Sequence, residues 1–167
     1  MRIVPIVCMV FLLIAGLLFI QAIAGQLPER VATHFAADGH PNGYMSREEC
    51  RLFMLQFTLG VPIFIAVLTG LFPLFLPVSL FNLPNRDYWL APERAAASRA
   101  FLSEQGIWFG CILLVFLISV DWMVAAANSN ALKQFPTPTF TTAAVVGLTA
   151  LGFWLVRFIR RFGKPPG

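Results

Sequence analysis

Apolar residues run unbroken over stretches longer than a soluble fold requires. Ile3–Gly25 carries no charge, Leu52–Phe81 carries none, Gly106–Ala127 carries Asp121 alone, and Gln134–Val156 carries none. A helix needs about 20 apolar residues to cross a bilayer core, so each run predicts one crossing. Two polar stretches break the pattern, residues 27–50 and 82–99. The chain is expected to form a single membrane domain over residues 1–167. Its fold class is an all-α integral membrane protein of four transmembrane helices, with spans at about 3–25, 52–81, 106–127 and 134–156 and a small β-hairpin between the first and second.

The stretch 27–50 has the pattern of a hairpin followed by a helix start. Val31–Phe35 suits a short strand, and residues 36–43 are dense in turn formers, with Asp38-Gly39 and Asn42-Gly43 both present. Tyr44-Met45 can begin the return strand. Ser46 and Glu49 have the spacing of a capping box, which predicts a helix running from about Arg47 into the second span. Two strands alone are marginal in water, so this hairpin is expected to lean on the helix ends or on another chain.

The second run is interrupted by Pro62, Pro73 and Pro77, which predict kinks. Tyr88 and Trp89 suit an aromatic anchor at headgroup level. Pro92 and Glu93 open a helix that continues to about Ala127, roughly 54 Å at 1.5 Å per residue, so its first turns extend past the bilayer. There Arg94 and Arg99 suit contact with anionic lipid, and Glu104 can pair with Arg99 or face the headgroups.

Composition agrees with a membrane protein. The 167 residues are 58% hydrophobic and 12% charged, against about 25% charged in soluble domains. The net charge of +4 reflects topology, because basic residues sit at span ends, and no nucleic-acid partner is expected. Eight of the twelve basic residues (Arg2; Arg86, Arg94 and Arg99; Arg157, Arg160, Arg161 and Lys164) fall on one side of a four-span topology. The positive-inside rule makes that side cytoplasmic, with both termini. The 27–50 hairpin then faces outward, with the Asn128–Pro138 loop, while 82–99 is the inner loop. A cleaved signal peptide ending at Ala22-Ile23-Ala24 is disfavoured, since apolar signal regions run about 7–15 residues. Cys8 and Cys111 lie in spans, and Cys50 alone near the outer surface gives no disulfide framework.

Candidate chemistry is sparse. Asp121 is the acid inside a span, about 9 Å below its outer end. It reads either as an interfacial acid or as a protonation or ligand site beneath the hairpin. His34, Asp38 and His40 are acceptable zinc ligands, but their spacing fits no zinc pattern. No metal or cofactor is expected. No nucleophile–base pair, phosphate loop or HExxH motif is present.

At Leu27-Pro28, Thr33-His34-Phe35, Gly39 and Pro41 the chain resembles the bacterial domain of unknown function found at the N-terminus of SdpI-type membrane proteins, the immunity and signalling partners of a sporulation-delaying toxin. Arg47 could stand for the basic residue that the family pattern places before the second span. Residues 82–94, with Arg86, Tyr88, Trp89, Glu93 and Arg94, are similar to a segment of its stand-alone four-span members, and Ala127-Asn128 fits their third-span ending. The resemblance covers about residues 1–130. It implies a small helical bundle of the bacterial inner membrane and no reaction. This chain is shorter than the SdpI type and lacks its additional C-terminal spans, so toxin immunity carries over weakly.

The resulting expectation is a non-enzymatic small membrane protein with a sensor, immunity or accessory role. His34, Phe35, Gly39, Pro41 and Tyr44 would dock the hairpin on an extracytoplasmic or membrane protein partner or on its own bundle, and Arg86–Arg94 would anchor to the lipid bilayer or a cytoplasmic protein. The alternatives are a small-solute or proton-coupled transporter using Asp121, which requires a homo-oligomer because alternating access needs two moving halves, and a metal-dependent outer-surface enzyme.

Overall fold

A computed structural model describes residues 3–129, 135–163 and 165. Arg2, Lys133, Gln134 and Lys164, which entered the span and charge expectations, lie outside the described residues. Four helices are long and apolar enough to cross a membrane: α1 (Val4–Ala24), α2 (Arg47–Phe75), α4 (Pro92–Asn128) and α5 (Thr137–Phe162). The short helix α3 (Arg86–Trp89) lies between α2 and α4. A two-stranded antiparallel hairpin, β1 (Arg30–Phe35) and β2 (Pro41–Ser46), joins α1 to α2.

The capping box forms. The Glu49 amide donates to Ser46 Oγ at 3.3 Å, and the Ser46 amide donates to Glu49 Oε2 at 2.8 Å. Two of the first-turn donors that a helix leaves unmet are thereby satisfied. Ser46→Ala is expected to cost about 1 kcal/mol, seen as a lower unfolding midpoint in detergent and faster amide exchange at residues 47–50.

The turn falls earlier than Asn42-Gly43 suggested. The Ala36 amide donates to the His40 carbonyl at 2.8 Å, the Gly39 amide to the Ala36 carbonyl at 2.9 Å, and the His40 amide to Asp38 Oδ1 at 3.0 Å. Gly39 has φ +84°, a left-handed conformation suited to glycine. Asn42 and Gly43 belong instead to β2, where the His34 side chain covers Gly43: a Cβ there would meet His34 Cβ at 2.9 Å. The register shifts twice, between Ala32 and His34 and between His34 and Phe35, so the ribbon is bulged.

Prolines shape α2, and the outcome is wider turns. Pro62 and Pro73 have no amide hydrogen to donate to the carbonyls of Thr58 and Thr69, four residues earlier, and their rings crowd those carbonyls. Each proline follows a π-helical stretch containing that threonine, Leu55–Leu59 and Val67–Leu71. The expected run to Phe81 stops at Phe75; the chain is extended at Leu76 and Pro77 and then makes a 3₁₀ turn over Val78–Leu80.

The α2–α4 crossing depends on glycine. A Cβ on Gly106 would lie 2.3 Å from the Thr69 carbonyl and 2.6 Å from the Gly70 nitrogen, and one on Gly110 would lie 3.1 Å from the Pro62 carbonyl. The Gly106-x-x-x-Gly110 spacing puts both glycines on one face of α4, the small-residue arrangement by which membrane helices approach closely. Met9, Ala66, Ile107, Cys111 and Leu114 fill the middle of the α1–α2–α4 bundle. Helix α5 packs on α4, where Trp154 Nε1 donates to the Gln105 carbonyl at 3.0 Å.

Candidate functional site

The hairpin is held on the bundle from three sides. At its base, Val31 is fully buried with Ile20, Leu27, Cys50 and Met54, and Val124 and Ala125 of α4 pack against the same cluster. Along its edge, Asn128 at the end of α4 grips Ala32. The Ala32 amide donates to Asn128 Oδ1 at 2.7 Å, and Asn128 Nδ2 donates to the Ala32 carbonyl at 2.8 Å. The carboxamide thus does for β1 what a neighbouring strand would do, and it covers part of an open sheet edge. The same Nδ2 donates to the Val124 carbonyl at 2.8 Å, closing the last helical turn. At its tip, Phe35 packs on Phe135 with ring centroids 4.9 Å apart, and the Phe135 amide donates to the Gly39 carbonyl at 3.2 Å.

The candidate hairpin residues divide accordingly. Phe35 and Gly39 are used against the bundle, while His34 and His40 stand exposed. Tyr44 is 46% exposed, and Arg30 lies over its ring at 4.3 Å, a diagonal cross-strand cation–π contact. Pro41 opens β2 opposite Phe35. His34 Nδ1 is 3.4 Å from Thr33 Oγ1.

Asp121 lies deeper, only 7% exposed. The Thr58 hydroxyl and Cys50 are its polar neighbours across α2. Its Oδ2 is buried without a hydrogen-bond partner among the described residues. His34 is exposed on the hairpin, and among the described residues no ion pair joins it to Asp121. Among the described residues no three of His, Cys, Asp and Glu gather closely enough to hold a metal ion.

The opposite end of the bundle is tied by aromatic and basic side chains. Trp89, expected as a headgroup anchor, is buried: it packs edge-on against Phe162 at 5.9 Å, and the Arg161 guanidinium lies over it at 4.4 Å. Arg94 lies over Tyr88 at 4.0 Å and donates to the Tyr88 carbonyl at 2.8 Å. Ser98 Oγ donates to the Trp89 carbonyl at 2.7 Å, and Arg99 donates to the Pro73 carbonyl at 2.8 Å, so Arg99 engages α2 backbone. Asn85, with φ 51°, donates from Nδ2 to the Gly163 carbonyl at 2.6 Å. Arg86 pairs with Asp87 at 3.3 Å on the surface, and Glu93 is exposed in the first turn of α4.

Sequence reasoning missed Asn128 as a clamp, Phe135 as the tip contact, and Phe162 with Arg161 as the far closure of Trp89. The Gly106/Gly110 spacing was a legible signal for the helix crossing. Nothing local marked the other three, because each acts on a segment distant in the chain.

These features define a four-helix membrane bundle with a fixed hairpin at one end. Residues 11–58 match the model of a domain of unknown function, DUF1648. The match takes in most of α1, the hairpin and the start of α2 as far as Thr58. No curated protein and no solved structure shows significant similarity to the chain.

Proposed function

We propose that the protein is a non-enzymatic small membrane protein whose hairpin is a preformed recognition surface on the extracytoplasmic side, in a sensor, immunity or accessory role. The observation that carries this reading is the Asn128–Ala32 clamp. It fixes the ribbon in place while His34, His40 and Tyr44 remain turned to solvent. A rigid surface loses little conformational freedom on binding, and exposed aromatic and imidazole groups are suited to contact another protein. The resemblance to the N-terminal module of SdpI-type proteins points to a role in signalling or immunity at the bacterial inner membrane. The arginines of the opposite end would then face the cytoplasm, where Arg157 and Arg160 are exposed.

Transport through Asp121 is supported less well. An apolar groove of about 870 Å³ runs between α4 and α5, lined by residues including Trp108, Phe116, Trp122, Thr142 and Val146, and Asp121 is not among its lining residues.

Photo-crosslinking side chains placed at His34 and Tyr44 test the proposal, with Phe153, 75% exposed on α5, as a control. In native membranes the hairpin positions should give a discrete protein adduct, severalfold above the control, and His34→Ala/Tyr44→Ala should impair the cell's response. Lipid adducts alone at all three positions, with a silent double variant, would remove this function.

A further inference from the structure

Two buried stripes meet beneath the hairpin. On α4, Asp121 is followed at i+3 and i+4 by Val124 and Ala125, which pack under Val31, and at i+7 by Asn128, which holds Ala32. These spacings keep all four on one helix face. On α2 the facing stripe is Cys50, Met54 and Thr58, each at most 2% exposed. Val31 closes the seam at the hairpin end.

The Asp121 carboxyl is set in this seam with few partners. From α2 it faces the Thr58 hydroxyl and the Cys50 thiol. From α1 the cluster receives Ile20, with Phe19 and Ile23 against it, and from the hairpin Leu27, Val31 and Met45, none of them titratable. Within α4, residues 117–125 contain no other charged side chain. The neighbouring cation on α2, Arg51, is engaged by Glu48 at 2.8 Å and by Gln21 at 3.5 Å. Among the described residues no ion pair includes Asp121.

A carboxylate inside a span costs about 2.5–3.5 kcal/mol unless it is paired or wet, and a buried oxygen with no donor adds to that cost. A proton on Oδ2 removes the charge while leaving the other oxygen free to accept from Thr58. We infer that the seam is a proton-binding site, with Asp121 as the acceptor and Thr58 as its positioning residue, and that proton loading sets how firmly the hairpin is seated. On release the proton passes to water entering from the hairpin end. The carboxylate keeps that water in the seam, which parts α4 from α2 and Val31 and shifts Asn128 against Ala32. The hairpin is therefore seated at low pH and loosened at high pH. This coupling holds whatever the hairpin binds.

The test uses the full chain in lipid nanodiscs. Infrared difference spectra should show a protonated-carboxyl band in the wild-type protein that is missing in Asp121→Asn. Amide exchange over residues 31–35, normalised for the intrinsic rate at each pH, should lose about tenfold protection as pH rises, the change expected when a local opening gains a decade in population. Asp121→Asn should hold its protection at all pH values. Thr58→Val, which removes the donor favouring the carboxylate, should move the loosening to higher pH; a merely structural role for Thr58 would lower protection at every pH alike. Asp121→Ser provides a second neutral variant, and if neither neutral variant folds, the Thr58→Val profile decides. Equal pH profiles in wild type and either neutral variant, an unshifted Thr58→Val profile, or the absence of an Asp121-dependent carboxyl band would overturn the inference.

Discussion

Replacing Asn128 by alanine is expected to release the hairpin while the helices stay assembled. The substitution removes both hydrogen bonds to Ala32, which is 7% exposed. Each is worth about 0.5–1.5 kcal/mol net, and a buried backbone group left unmet costs about 1–3 kcal/mol. Water can reach part of the freed edge, so the combined loss should be about 2–4 kcal/mol. That is large for a two-stranded ribbon, which is marginal without support. Amide exchange at residues 31–35 should accelerate about 30- to 700-fold, since 1.4 kcal/mol is tenfold, while amides of α1 and mid-α4 should change little. Asn128→Asp, which keeps an acceptor and loses the donor, should fall between. Unchanged exchange in Asn128→Ala would mean that Val31 and the Gly39–Phe135 contact suffice to seat the hairpin.

Gly106→Leu is expected to prevent the native crossing of α2 and α4. Even a methyl group there would meet the Thr69 carbonyl at 2.3 Å, and backbone cannot rotate away as a side chain can. Overpacking in close-packed interiors costs about 1–3 kcal/mol and sometimes more; a clash against main chain belongs at the upper end or beyond. Separating the helices would also undo the contacts of Gly70 with Ile107 and of Gly110 with Ala66. The variant should elute as aggregate or unfold far below the wild type in mild detergent, and Gly106→Ala should show a lesser form of the defect. Gly60 and Gly152 provide controls, because a Cβ on either would meet nothing within 4 Å. Alanine at those positions should be tolerated. A Gly106→Leu protein as stable as wild type would show that the crossing can re-form elsewhere along α4.

The two predictions bear on different levels of organisation. Asn128 governs whether the hairpin is a fixed surface, and so bears directly on the proposed recognition. Gly106 governs whether α2 and α4 are close enough for the Asp121 seam to exist. A seam that holds a buried acid without a cation depends on tight packing around it, because water admitted at any point would meet the unpartnered oxygen instead.

Local signals carried much of the architecture. Four apolar runs implied four helices because the hydrocarbon core leaves a crossing chain few other ways to satisfy its backbone. Ser46 and Glu49 marked the start of α2 because a capping box is complete within four residues. Turn formers placed a hairpin at 27–50, although two turn pairs competed; the turn forms at Asp38-Gly39, and Gly43 sits in β2 beneath His34. The prolines marked irregularity in α2; its form is two π-helical stretches, one holding Thr58 opposite Asp121 and the other holding Thr69 opposite Gly106.

What the sequence determined by itself was therefore the set of elements and their polarity, through forces that act between neighbours or between a segment and its solvent. The tertiary structure alone decided the clamp from Asn128 to Ala32, 96 residues apart, the closure of Trp89 by Arg161 and Phe162, and the burial of Asp121 against α2. Each of these arrangements joins segments distant in the chain that meet only in the assembled bundle. No local pattern specifies such pairings, since a carboxamide, a tryptophan or a carboxyl group is satisfied by whichever partner the assembled bundle brings within reach.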